Sequence, residues 1–66
     1  MIHVRYEGRS YDFEARELEV ETGSPDNLIR QRVADKLGVA EKRLEFYTID
    51  RPANGNIIVR PEAVYG

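Results

Sequence analysis

The chain contains no cysteine. That excludes disulfides, thiolate zinc sites and cysteine nucleophiles, so the fold must rest on packing or on a partner subunit. Histidine is nearly absent too: His3 stands alone, and no cluster with metal-ligand spacing or catalytic pairing surrounds it. No metal and no cofactor is expected, and no enzymatic activity. Charge of one sign is missing as well. Ten basic and twelve acidic residues give a net charge of -2, and the two signs are interspersed. This is neither a strongly basic nucleic-acid binder nor an acidic tail. No apolar run is long enough to cross a membrane, and the opening residues carry no signal-peptide pattern. A cytoplasmic protein, with no nucleic acid and no membrane among its partners, is the expectation.

With 66 residues the chain has room for one domain, residues 1–66, and one small core. Its local patterns are clearer than its chemistry. In MIHVRY, Ile2, Val4 and Tyr6 alternate with His3 and Arg5, the period of a half-buried strand. Glu7-Gly8-Arg9 forms a turn. In SYDFEA, Tyr11, Phe13 and Ala15 alternate with Ser10, Asp12 and Glu14, completing a hairpin with one aromatic-rich face. Leu18 and Val20 continue the alternation weakly, so residues 16–24 extend the strand or add a short one, in preference to a helical turn.

The next segment, TGSPDNLIRQRVADKLGV, predicts a helix over residues 25–37. Ser24 is the expected N-cap, Pro25 the first helical residue and Asp26 a first-turn acid. Ile29, Val33 and Leu37 form its apolar stripe, widened by Leu28 and Ala34, and Gly38 ends it. After a polar turn, LEFYTID places Leu44, Phe46 and Thr48 on one side of a strand and Glu45, Tyr47 and Ile49 on the other. Asn54-Gly55 marks a hairpin turn. Ile57 to Arg60 is the last clear strand, ending where Pro61 lacks an N–H. The order is strand, strand, helix, strand, strand: an α+β fold with one helix across one sheet.

That order, the opening Met-Ile-x-Val, the Ser24-Pro25-Asp26 cap, the Ile29/Val33/Leu37 stripe, the Gly38-Val39 exit and Leu44-Glu45-Phe46 together resemble the ubiquitin-like β-grasp family over residues 1–60. The resemblance implies a mixed β-β-α-β-β sheet whose first and last strands are parallel neighbours at its centre. It also implies partner binding through the open sheet face. Two departures stand out. Family members that act as modifiers or sulfur carriers end in Gly-Gly, and here Tyr65 precedes Gly66. The segment between Thr48 and the last strand is also short.

Candidate site residues follow. If Leu44 and Phe46 face the helix, Tyr47 and Ile49 face outward. With Arg51 or Arg60 beside them they would form a protein-binding patch, since tyrosine and arginine are frequent anchors. On that reading Tyr47→Ala loses the partner and keeps the fold, whereas Val33→Asp unfolds the domain. The same patch would serve a homodimer instead. Gly66 is the second candidate, as a carboxylate activated by an adenylating enzyme; its bland alternative is an ordinary chain end. His3 reads as a surface histidine. Glu14, Glu17, Glu19 and Glu21 read as solvated charge, because they lack the register of a calcium loop. Arg30, Arg32, Lys36 and Lys42 make a local basic patch without any nucleic-acid-binding motif, and Thr22-Gly23-Ser24 is a weak anion cradle.

Overall fold

Two left-handed residues close the first hairpin. In the computed structural model, which describes residues 1–62, strands β1 (Ile2–Tyr6) and β2 (Arg9–Phe13) pair antiparallel from Tyr6↔Arg9 to Ile2↔Phe13. They are joined by Glu7 at φ 49° and Gly8 at φ 79°. A two-residue turn of this hand matches the twist of the flanking strands, and Gly8 adopts it without the Cβ penalty that Glu7 incurs.

Helix α1 (Asp26–Leu37) crosses the sheet. Its buried residues are Ile29, Val33 and Ala34, the inner part of the expected stripe, and burying Ile29 and Val33 contributes about 1.5–3 kcal/mol each. Gly38 ends the helix at φ 74°, with the Gly38 N–H donating to Asp35 O and the Val39 N–H to Ala34 O, the paired bonds of a Schellman end. At the other end Pro25, not Ser24, is the capping residue. The Ser24 hydroxyl turns back and accepts the Glu21 N–H at 2.8 Å, so it closes the preceding loop and leaves the helix N-terminus without a side-chain cap.

The second half adds β3 (Tyr47–Asp50) and β4 (Ile57–Pro61), antiparallel to each other. β4 enters beside β1 in parallel, with Ile2↔Ile57 and Val4↔Val59. The strand order is β2-β1-β4-β3. This is the mixed, grasp-like arrangement that the resemblance implies, with the parallel pair at its centre. The core consists of Ile2, Val4, Tyr6, Ile57 and Val59 from the two inner strands, the α1 stripe, and Leu18, Val20 and Leu44.

Two segments depart from the expected strands. Ala15–Glu17 is a turn of 3₁₀-helix, not a strand extension. Leu18 and Val20 both enter the core, on either side of Glu19 at φ 55°. Likewise Glu41–Leu44 is a 3₁₀ turn. Leu44 is fully buried from that turn, while Phe46 is 74 % exposed. The strand therefore begins only at Tyr47, and its alternation starts afresh there.

Candidate interaction surface

The restart at Tyr47 decides which side chains face outward. Ile49 pairs with Val59, which is buried beneath the helix, and Tyr47 pairs with Pro61 two positions along. Cross-strand partners share a face. Tyr47 and Ile49 are accordingly half-buried on the helix side, packed against the core, and the expected outward patch of Tyr47 and Ile49 does not exist. Its premise was that Leu44 and Phe46 lie in the same strand; Leu44 reaches the core from a turn instead. Tyr47 sits 6.0 Å from Tyr6, ring centre to ring centre. Burial is the main cause that raises its phenol pKa above the ordinary 10.0, followed by the neighbouring Tyr6 and Glu7, while a hydrogen bond from the Glu7 backbone opposes the rise.

Arg60 does lie on the open face. The register sets His3 between Asp12 on β2 and Ile58 on β4, and Ile58 beside Asp50 on β3. One row of the face is thus Asp12, His3, Ile58, Asp50. Ser10 and Arg5 form a second pair along the hairpin, and Arg60 pairs with Thr48. The polar groups are matched locally. His3 Nδ1 and Asp12 Oδ1 lie 2.6 Å apart, and the Arg60 Nε–H donates to Asp50 Oδ2 at 2.7 Å. The Thr48 hydroxyl donates to the Arg60 carbonyl at 3.2 Å. The His3–Asp12 contact and the Arg60–Asp50 ion pair flank Ile58, the apolar centre of the row, which is half-buried. No described element covers this face.

Arg51, the other proposed flank of the patch, is committed to the fold. Its guanidinium donates to the Thr22 carbonyl at 2.5 Å, to the Ser24 carbonyl at 2.6 Å and to Asp26 Oδ1 at 2.6 Å. It ties the end of β3 to the loop before α1. The basic helix residues are also paired. Arg32 faces Glu19 at 3.7 Å and Lys36 faces Glu17 at 3.7 Å, so part of the acidic stretch and part of the basic one are two halves of the same ion pairs. Arg30 donates from Nε and Nη2 to the Tyr47 carbonyl, at 3.3 and 3.1 Å. Beside it an open groove of about 400 Å³ is lined by Asn27, Arg30, Glu41, Lys42 and Glu45.

Among the described residues no group of three or more His, Asp or Glu side chains is placed to hold a metal ion, and no helix is long and apolar enough to cross a membrane. Gly66 lies outside the described residues. No protein-family model matches this chain, and no curated protein or solved structure does. The surface must therefore be read from its own residues. Of these, the His3–Asp12 pair was within reach of the sequence, because a two-residue turn at Glu7-Gly8 sets the hairpin register. Arg30 and Arg51 had no such signal: each joins segments well separated along the chain.

Proposed function

We propose that this protein is a non-catalytic, ubiquitin-like recognition domain that binds a protein partner through its open sheet face. The observation that carries the reading is the uncovered row in which Ile58 lies between His3–Asp12 and Asp50–Arg60. An apolar centre ringed by polar groups is how compact protein-binding sites are built, since the ring excludes water from the central contact. Polar pairs already satisfied within the domain would give orientation more than affinity. Arg60 keeps the role the sequence suggested for it; Ile58 and His3 take the places of Tyr47 and Ile49.

A photo-crosslinking amino acid placed at Thr48, on the open face, should capture a partner in the native host. The same group at Gln31, on the exposed side of α1, should not. Ile58→Lys should abolish the Thr48 crosslink while leaving the melting curve close to wild type, because the side chain is outside the core and a cation there faces Asp50 across the strands. Equal capture from Thr48 and Gln31, or capture that survives Ile58→Lys, rules this face out.

A further inference from the structure

The β3 edge of the sheet is half closed, and the closure has a defined geometry. Pro61 has no N–H, so Tyr47↔Pro61 is the pair without mutual hydrogen bonds, and Thr48↔Arg60 and Ile49↔Val59 then alternate. The backbone groups of Thr48 and Asp50 therefore point to β4, and those of Tyr47 and Ile49 point outward, to the free edge. Neither outward N–H, nor the Ile49 carbonyl, has a partner among the described residues. An exposed row of this kind is a template for pairing with another strand. One of its four groups is occupied: the Tyr47 carbonyl accepts from both Nε and Nη2 of Arg30. With two donors converging on one oxygen, the guanidinium occupies the acceptor that a neighbouring strand's N–H would otherwise use.

We infer that the β3 edge is a latent self-pairing surface and that Arg30 holds it closed against a second copy of this chain. The occupant follows from symmetry. In a two-fold antiparallel arrangement centred on Thr48, Tyr47 of each copy faces Ile49 of the other. All four outward groups of each strand are then used, with the Ile49 N–H of one copy donating to the Tyr47 carbonyl of the other. Any register of this strand that uses more than Ile49 alone needs that carbonyl. Phe46, strongly exposed in the turn immediately before the strand, adds apolar surface next to it. Arg30 suits the task because its planar fork is always charged and can aim two adjacent N–H donors at one carbonyl.

Arg30→Met keeps the apolar stem and removes the fork, and Arg30→Lys keeps the charge without the paired donors. Sedimentation velocity over a range of concentrations, with amide exchange followed at Ile49, tests the inference. The wild-type chain should remain monomeric with a fast-exchanging Ile49 amide. Arg30→Met should associate about tenfold or more tightly, the scale of one charge-assisted hydrogen bond that no longer competes. Its Ile49 amide should become protected as concentration rises, and Arg30→Lys should fall between the two. Folded, monomeric Arg30→Met with an unprotected Ile49 overturns the inference. So does a wild-type dimer that already protects Ile49, or loss of folding in both variants, which would make Arg30 a structural tie.

Discussion

Tyr47 shows how one side chain links the surface question to stability. On the helix side of the sheet its phenol is partly withdrawn from water, and its pKa lies above the ordinary 10.0. Below pH 10 the group is protonated in both folded and unfolded chains and adds no pH dependence. Above pH 10 the unfolded chain releases the proton first, so stability falls as pH rises toward the raised folded value. Urea titrations through this alkaline range should show a shallower loss for Tyr47→Phe than for wild type. Identical slopes would mean that the phenol is as well solvated folded as unfolded. Because Tyr47 packs against the core, Tyr47→Ala should lower stability as well as alter the surface. Arg51 carries the same lesson: an arginine beside a strand reads as a binding anchor, but this one is used up on two backbone carbonyls and Asp26.

Among the elements, α1 is where local sequence and structure agree best. Its stripe, its length and its end follow from a 3.6-residue period and one glycine, signals carried within a single segment. Gly38 gives a clean test of that end. A Cβ added there meets nothing within 4 Å, so the cost of Gly38→Ala is the left-handed backbone alone, about 1–2 kcal/mol. Gly38→Asn should cost less, because asparagine tolerates this conformation. Chemical denaturation of the two variants measures the difference, and equal losses would count against a backbone origin. The strands were less legible. Period-two alternation identifies β1 and β2 because the hairpin turn holds them in register. It buries Leu18, Val20 and Leu44 correctly but misassigns their segments, which are turns, and carried through the turn at Leu44 it misplaces Phe46, Tyr47 and Ile49. One such turn before β3 was enough to exchange its two faces, and with them the candidate site.

Across the whole molecule, stability should be graded from the centre of the sheet to its edges. β1 and β4 are paired on both sides, and their side chains Ile2, Val4, Ile57 and Val59 are fully buried. Their amides should open only with global unfolding. The outward amides of the edge strands, Tyr47 and Ile49 on β3 and Ser10 and Asp12 on β2, should exchange through much cheaper local opening. Native-state hydrogen exchange would show the gradient, and edge amides as slow as those of Val4 and Val59 would contradict it. The parallel β1–β4 contact joins residues more than fifty positions apart, so this gradient, unlike the helix, exists only once both halves of the chain have met.

By itself the sequence determined the element order, the hairpin, the helix with its buried stripe, and the absence of cysteine chemistry, because each depends on residues within one short segment. The β-grasp layout came from a resemblance, and the observed strand pairing agrees with it. Only the tertiary structure decided which face of β3 is open, that Arg51 and Arg30 are bound to distant carbonyls, and that Ile58, His3 and Arg60 share one surface. These are outcomes of long-range register and of side chains that reach across the fold. A shift of one residue in a short turn reverses them while leaving the composition and local periodicity of the chain almost unchanged.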